Sequence, residues 1–317
     1  MPLLSVIVPA YNEQDILEKT AAVISDTLSA ADIRFEILFV NDGSRDGTWE
    51  KIQQTAKLNP RVRGISFSRN FGKESAILAG LSEAAGDCCA VIDCDLQQPP
   101  AAMVEMYRLW EQGYKVVNGV KSSRGKESAL HRFAAKAFYA AMSAIVKIDM
   151  TKASDYKLLD REVVEVLLGM PERNYFFRAL SEWVGYPSAA VEYDVAEREV
   201  GKSKWSTRAL IKYAVTNITA FSSIPLNLIT VLGGIVFLVA VVFGLIALIQ
   251  YFSGTAVEGF TTVILLLLLI GSIIMVSLGI IGFYVSKIYE EIKQRPKFLI
   301  ASRTNTAEKQ AKEKEQK

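Results

Sequence analysis

Two long uncharged stretches near the C-terminal end constrain the fold of this chain more than any other feature. Residues Ala214 to Val257 contain no Asp, Glu, Lys or Arg, and neither do residues Gly259 to Ser286. A helix that crosses a bilayer needs roughly 20 predominantly apolar residues, and the segments 226–252 and 261–285 are each long enough. The alternative, a buried hairpin in a soluble protein, rarely needs two runs of this length. The sequence therefore predicts a transmembrane helical hairpin over residues 226–286.

Charges on either side of the hairpin predict its orientation. Its turn carries only Glu258, whereas basic residues flank it at Lys202, Lys204, Arg208, Lys212, Lys287, Lys293, Arg295 and Lys297. Because positive charge is retained on the cytoplasmic side, we expect a multi-pass cell-membrane protein with a cytosolic catalytic domain and cytosolic termini. The predicted division is a catalytic domain at 1–200, a juxtamembrane amphipathic segment at 201–225, the hairpin, and a basic tail at 287–317 whose end is disordered.

The first part of the chain repeats a unit of strand, polar loop and helix. Apolar, β-branched runs at Leu3–Ala10, Phe35–Val40 and Val62–Phe67 are each followed by polar residues, and a fourth such strand leads to Asp93. Helical patterns begin at Ile16 and cover Trp49–Leu58 and Ser75–Ala85. This alternation predicts an α/β fold, a mostly parallel sheet with helices on both faces, and ligands bind such sheets beyond the carboxyl ends of the strands.

The segment Cys88 to Pro100 carries two acids, Asp93 and Asp95, at the end of the fourth strand. Side chains two residues apart on a strand lie on one face, so both carboxylates are expected to converge on a ligand. Mg²⁺ and Mn²⁺ favour oxygen ligands and often combine one or two carboxylates with substrate phosphates. Two acids at this spacing also arise by chance in solvated loops. The pair by itself does not distinguish such a loop from a ligand site.

Other residues argue against a metal centre built on sulfur or imidazole. Cys88, Cys89 and Cys94 cluster at one strand and suit a reduced cytosolic core. The chain has a single His131 and no pair of cysteines with zinc-ligand spacing. His131 lies in an apolar segment with basic residues, 130–146, and 205–221 is similar. For both segments, a helix on the membrane surface and ordinary core packing remain alternatives.

Six motifs together resemble the inverting family-two glycosyltransferases with the GT-A nucleotide-sugar fold, in particular those that act on polyprenyl phosphates. They are VPAYNE at Val8–Glu13, VNDGSRDGT at Val40–Thr48, RNFGKE at Arg69–Glu74, DCDLQQPP at Asp93–Pro100, SDYKLLDREVV at Ser154–Val164 and EREVGKSKW at Glu197–Trp205. The motifs span the first two thirds of the chain. The sequence departs from the family at Gln98, where relatives commonly carry Asp.

The resemblance implies a role for each matching residue. Pro9, Tyr11, Glu13, Asp42, Lys73 and Asp93 would bind the nucleotide sugar, and Asp93, Asp95 and Gln97 would hold Mg²⁺ or Mn²⁺. Asp155 and Asp95 would be the catalytic carboxylates. Asp155 would serve as a base or orient a sugar hydroxyl. It also fits an acidic residue at the N-terminus of a helix at Lys157–Leu168. Lys121, Arg124, Arg198, Lys202 and Lys204 are expected to meet the acceptor phosphate or the diphosphate.

The expected reaction is transfer of a hexose, glucose or a related sugar, from a UDP-sugar to polyprenyl (undecaprenyl) phosphate for modification of cell-envelope glycans. Alternatives are a GDP-mannose-dependent synthase, a processive polysaccharide synthase, which would carry more spans and a Q-x-x-R-W motif, and a noncatalytic scaffold, which would have lost Asp93 and Asp95. A dinucleotide oxidoreductase is disfavoured because no G-x-G-x-x-G follows the first strand. No nucleic-acid partner is expected. The sugar, the base and homo-oligomerisation stay open.

Overall fold

The computed structural model of the protein describes residues 1–122, 154–172, 175–194, 224–253 and 259–304. The chain forms two compact units. One comprises Met1–Trp205 together with Arg295–Lys317, and the other comprises Ser206–Gln294.

The first unit alternates strands and helices as predicted. Its strands are β1 Leu3–Ala10, β2 Arg34–Asn41, β3 Val62–Phe67, β4 Cys88–Val91, β5 Val116–Lys121, β6 Lys157–Asp160, β7 Ser188–Tyr193 and β8 Ile300–Arg303. Its described helices are α1 Leu17–Ala30, α2 Thr48–Leu58, α3 Lys73–Glu83, α4 Pro100–Glu111, α5 Arg161–Gly169 and α6 Phe177–Trp183.

These strands form one sheet in the order β7-β5-β6-β4-β1-β2-β3-β8. Strand β1 runs parallel to β2 and β4, β2 runs parallel to β3, and β5 runs parallel to β7. Strand β6 is antiparallel to both β4 and β5, and β8 is antiparallel to β3. The predicted α/β architecture with a mostly parallel sheet is confirmed.

Both faces of the sheet are covered because the central strands are apolar on both sides. Leu4, Val6 and Val8 of β1 are buried in a cluster that includes residues of α1 and α4. Ile7 points to the opposite face, where an added Cβ at Gly80 of α3 would lie 2.3 Å from Ile7 Cγ2. A glycine at position 80 therefore lets α3 lie close to β1, and α3 begins with Lys73.

Two local expectations were wrong. Strand β4 ends at Val91, so Asp93 and Asp95 lie in the loop beyond it and not on a strand face. The helix expected from Lys157 begins only at Arg161, because Lys157–Asp160 pair as β6 between β4 and β5. Asp160 then caps α5, its side chain accepting a hydrogen bond from the Glu162 N–H at 3.0 Å.

The region after the hairpin is more ordered than a tail. Residues 300–303 form β8 at the edge of the sheet, and the Phe298 ring stacks on Phe67 with centroids 5.3 Å apart. The expectation of a basic tail from residue 287 was therefore wrong for residues up to 304. Residues 305–317, which were expected to be disordered, lie outside the described residues.

The second unit contains α7 Ile224–Phe252 and α8 Phe260–Ile292, which cover the two predicted spans. Both are long and apolar enough to cross a membrane, and among the described residues the stretches that meet this test are Ile229–Ile246 and Leu269–Ile292. Residues of both helices line a common apolar groove, among them Gly233 of α7 and Ile273 of α8. Elsewhere large apolar side chains are exposed, Phe237 by 66% and Met275 by 69%. An apolar surface of this extent is typical of a membrane or protein interface.

Candidate active site

Polar loops follow β1 and β2 at one edge of the sheet, and side chains join them. The Asn12 N–H donates to Ser44 Oγ at 3.0 Å, and the Arg45 N–H donates to Asn12 Oδ1 at 2.9 Å. The Glu13 N–H donates to Thr48 Oγ1 at 2.9 Å, at the start of α2. The loop that carries Tyr11 and Glu13 is thus held against its neighbour, as expected for parallel strands whose carboxyl ends share an edge.

Asp42 connects the loop after β2 to the start of α3. Its carboxylate accepts hydrogen bonds from the N–H groups of Phe71 at 2.7 Å and Gly72 at 2.9 Å. Burial raises the pKa of Asp42, and these two hydrogen bonds oppose that effect. Next to it, Gly43 has a φ of +62°, and a Cβ there would lie 2.3 Å from the carbonyl carbon of Arg69. Only glycine permits this approach.

Lys73, the first residue of α3, joins two acids from distant parts of the sequence. Its ammonium lies 2.6 Å from Asp93 Oδ1 and 3.0 Å from Asp155 Oδ2. Partial burial disfavours the charge, but the attraction of Asp155 and then of Asp93 outweighs it and raises the pKa of Lys73. Lys73 is therefore a permanent cation at this edge.

Asp155 is held on its other side by Arg178 of α6. The Arg178 Nε lies 2.5 Å from Asp155 Oδ1, and its Nη2 lies 2.7 Å from Oδ2, a bidentate pair. Burial alone would raise the pKa of Asp155, but Lys73 and Arg178 together hold it well below its usual range. A carboxylate with so low a pKa is a weak base.

The loop after β4 places Asp93 and Asp95 outward because Cys94, between them, is buried. The buried Gln98 side chain holds Asp93 twice: its Oε1 accepts from the Asp93 N–H at 2.8 Å, and its Nε2 lies 3.3 Å from Asp93 Oδ2. Asp95 Oδ1 accepts from the Gln97 N–H at 3.2 Å. A carboxylate at position 98 could not donate to Asp93, so the amide of Gln98 gives this loop a contact that an Asp there would not.

Two further contacts position α6 and hence Arg178. Lys157 is fully buried, and its ammonium contacts Ser181 Oγ and lies 3.1 Å from Glu182 Oε1. The N–H of Phe177, at the start of α6, donates to Glu74 Oε2 at 3.0 Å. Burial and the nearby Asp155 raise the pKa of Glu74 to about 7. The acids and cations at this edge thus form one connected group.

Sequence reasoning missed three residues of this group, Arg178, Glu74 and Tyr193. Tyr193 ends β7, is 4% exposed, and its hydroxyl has no hydrogen-bond partner among the described residues. Burial, reinforced by Asp93, raises its pKa to about 12. Arg178 lies in a short helix with no local signal, whereas Glu74 belongs to a motif and its contact with Phe177 depends on the fold.

The structure brings most of the sequence-predicted residues to the same edge. Lys73 contacts both Asp93 and Asp155, Pro9 lies at the end of β1, and the loops after β1, β2 and β4 carry the rest, namely Tyr11, Glu13, Asp42, Asp95 and Gln97. Lys121 ends β5 beside Tyr193 of β7 and is exposed. Arg124, Arg198, Lys202 and Lys204 lie outside the described residues, as do His131 and the segments 130–146 and 205–221.

Replacing Glu74 by Gln should change how stability depends on pH. A folded-state pKa near 7, above the ordinary 4.5, means that Glu74 contributes fully below pH 4.5 and that this contribution is lost as pH rises through 7. Gln keeps the acceptor for Phe177 but cannot ionise. We therefore expect the unfolding midpoint of Glu74→Gln, relative to that of the unmodified chain, to rise between pH 5 and pH 8. Thermal unfolding of the full-length protein at both pH values measures it.

The control is Glu165→Gln, which removes an exposed acid from α5. An offset between Glu74→Gln and the unmodified chain that is the same at pH 5 and pH 8 would show that Glu74 does not titrate in this range in the folded protein.

Comparison with known proteins shows which family the chain belongs to. Residues 5–168 match the family profile of glycosyl transferase family 2. An uncharacterized glycosyltransferase of Synechocystis is 35% identical over 300 residues, covering 94% of each chain. A prophage bactoprenol glucosyl transferase homolog of Escherichia coli is 35% identical over 299 residues, covering 94% of this chain and 98% of its own. The bactoprenol glucosyl transferase of Shigella phage SfII is likewise 35% identical, with 94% and 97% covered.

A solved structure, glucosyl-3-phosphoglycerate synthase of Mycobacterium tuberculosis in complex with Mn²⁺, UDP-glucose and phosphoglyceric acid, aligns with 69% of this chain and 79% of its own at 17% identity and a TM-score of 0.49. The matches to the family profile and to the curated relatives extend over more than half of the chain and over nearly all of it, respectively. The chain therefore belongs to glycosyl transferase family 2 and is a glycosyltransferase.

Proposed function

We propose that this enzyme transfers glucose or a related hexose from a UDP-sugar to polyprenyl phosphate at the cytosolic face of the cell membrane. The observation that carries the proposal is similarity to bactoprenol glucosyl transferases over 94% of the chain, which includes the apolar helices as well as the catalytic unit. A catalyst with two such helices is suited to an acceptor that resides in the bilayer.

The donor is proposed to bind at the loops after β1, β2 and β4. Tyr11, which is 37% exposed, and Glu13 offer an aromatic surface and a carboxylate for the base and ribose. Asp42 supports this surface indirectly, because its carboxylate already accepts hydrogen bonds from the backbone of Phe71 and Gly72. Lys73 lies where the diphosphate would approach Asp93.

A divalent cation, Mg²⁺ or Mn²⁺, fits the donor atoms of the loop after β4. Asp93, Asp95 and Gln97 supply carboxylate and amide oxygens, the ligand type that these ions prefer. Among the described residues, no group of three or more His, Cys, Asp or Glu side chains could hold a metal by itself. This favours a site that is completed by the substrate's phosphates. When bound, such an ion would neutralise charge on the departing diphosphate.

The reaction needs no strong base. The second pKa of a phosphate monoester is near 6, so the acceptor is already mostly dianionic at cytosolic pH. Its oxygen would attack the anomeric carbon opposite to the bond that breaks to the diphosphate, which inverts that carbon. The lowered pKa of Asp155 argues for an orienting role, in which it holds Lys73 and Arg178 in place. These cations would offset the negative charge of two phosphate groups drawn together.

The central test is turnover of the full-length enzyme with UDP-glucose, other UDP-sugars and GDP-mannose, each with undecaprenyl phosphate. We expect a glycolipid from a UDP-hexose, activity that EDTA abolishes, and a loss of roughly 100-fold or more in Asp95→Asn, because metal stabilisation of a leaving group is worth several kcal/mol. Asp26→Asn, an exposed acid on α1, is the matched control. Unchanged turnover of Asp95→Asn in EDTA would refute the metal site, and product only from GDP-mannose would refute the donor assignment.

Arg178→Lys should slow turnover without weakening donor binding. Lysine keeps the charge but cannot form the bidentate pair with Asp155, and a hydrogen bond to a charged group is worth about 1.5 to 3 kcal/mol. We therefore expect kcat to fall roughly 10- to 100-fold while the Kd for the nucleotide sugar, measured by calorimetry, stays within a factor of about two. Arg108→Lys on α4, paired with Glu111, is the control. Lost donor affinity with normal kcat would place Arg178 in the donor site instead.

The proposed orientation puts the turn between α7 and α8 outside the cytosol and the catalytic unit inside it. Ser253 follows α7 directly and is exposed, and Lys57 is exposed at the end of α2. A membrane-impermeant maleimide should label Ser253→Cys in intact cells and Lys57→Cys only after lysis, the three native cysteines being buried. Labelling of Lys57→Cys alone in intact cells would reverse the orientation.

A further inference from the structure

A cavity of about 350 Å³ lies beside the group formed by Lys73 and Asp155 and takes no part in the mechanism above. Its walls come from the segment after β3, from the start of α3, from Tyr175, and from Arg295–Lys297 just before β8. All of these belong to the catalytic unit. The volume is within the range of small-molecule sites, roughly 300 to 1,000 Å³.

The lining is mainly cationic and aromatic. Three of its residues, Arg69, Arg295 and Lys297, carry positive charge, and Glu74 is the acid among the described lining residues. The Arg69 guanidinium carbon lies 4.3 Å from the centroid of the Phe71 ring, and Lys297 Nζ lies 5.1 Å from that of Tyr175. A ligand that combines an anionic group with an apolar part matches such walls.

Tyr175 supplies an independent indication of a ligand. The residue is 6% exposed, yet its hydroxyl has no hydrogen-bond partner among the described residues. A buried hydroxyl without a partner is costly, and such groups call for an explanation. Burial raises the pKa of Tyr175, so the hydroxyl keeps its proton and can donate it to an anionic oxygen.

The segment that supplies Arg295 and Lys297 is held firmly in the unit. Lys297 Nζ donates to the Met170 carbonyl at 3.0 Å, and the Ser68 N–H donates to the Leu299 carbonyl at 3.1 Å. The stacked Phe67 and Phe298 rings reinforce this attachment. This wall of the cavity is therefore fixed to the sheet and to the residues that follow α5.

We propose that this cavity binds the phosphate group of a membrane lipid, with Tyr175 and Arg295 contacting its oxygens and the Phe71 ring contacting its apolar part. Only two residues separate Arg295 from Ile292, the last residue of α8. If α8 lies in the bilayer, Arg295 lies within a few residues of the membrane, which favours a lipid as the molecule that carries the phosphate. To that extent the inference rests on the proposed function. The phosphate belongs either to the polyprenyl phosphate acceptor or to an anionic phospholipid of the membrane.

Native mass spectrometry of the full-length protein in a nonionic detergent can count and compare bound probes. The probes are farnesyl phosphate, dihexanoyl phosphatidic acid and inorganic phosphate, each titrated without nucleotide sugar. The variants are Tyr175→Phe, which removes only the unpartnered hydroxyl, and Arg295→Gln. Lys293→Gln is the matched control, because it removes a neighbouring cation that does not line the cavity.

We expect the unmodified chain to bind at least one lipid probe at a site whose affinity falls roughly tenfold or more in Tyr175→Phe and in Arg295→Gln, while Lys293→Gln leaves it unchanged. Selective loss of farnesyl phosphate identifies the acceptor lipid, and selective loss of phosphatidic acid identifies a phospholipid. Equal binding by Tyr175→Phe and the unmodified chain overturns the proposal, as does an equal loss in Lys293→Gln. Inorganic phosphate that binds as tightly as the lipids overturns the lipid source.

These outcomes are separate from those of the turnover test. If the unmodified enzyme binds a lipid phosphate here but forms no glycolipid from any nucleotide sugar, the proposed reaction fails and the site remains. If glycolipid forms at the same rate in Tyr175→Phe and no variant alters lipid binding, the site fails and the reaction remains. Since Tyr175→Phe loses no hydrogen bond to a described residue, its folding should be intact even if Arg295→Gln is unstable.

Discussion

The ammonium group of Lys73, held between the carboxylates of Asp93 and Asp155, is the interaction on which the rest of the site depends. It joins the start of α3, the loop after β4 and the segment that leads into β6. Because the two acids draw on one cation, a change at either alters the charge felt by the other. Lys73 therefore links the proposed donor side of the site, at Asp93, to Arg178, which holds the other side of Asp155.

The direction of β6 makes this coupling possible. Had β6 been parallel to β4, its first residues would lie at the opposite edge of the sheet. Because it is antiparallel, Val91 at the end of β4 pairs with Lys157 at the start of β6, and Asp155 arrives beside Asp93. The buried Lys157 then fixes α6 through Ser181 and Glu182, so the same strand also positions Arg178. Strand β6 therefore positions both Asp155 and Arg178.

The chemistry proposed for this enzyme is chiefly the management of phosphate charge at a membrane. Cations that are paired with acids, such as Lys73 and Arg178, stay charged and fixed even where they are partly buried. Cations that lie over aromatic rings, such as Arg69 and Lys297, suit a ligand with an apolar part. The two arrangements adjoin at Glu74, whose carboxylate contacts α6 and whose side chain also lines the neighbouring cavity.

The sequence alone determined the alternation of strands and helices, the two long apolar helices and the edge that carries Asp42, Lys73 and Asp93, because periodicity and uncharged length are local properties. Only the tertiary structure decided that Lys157–Asp160 is a strand, that residues 300–303 complete the sheet, and that Arg178, Glu74 and Gln98 support the acids. These features depend on pairing between segments far apart in the chain, as Val91 with Lys157 and Phe67 with Ile300 show, and no local pattern encodes such partners.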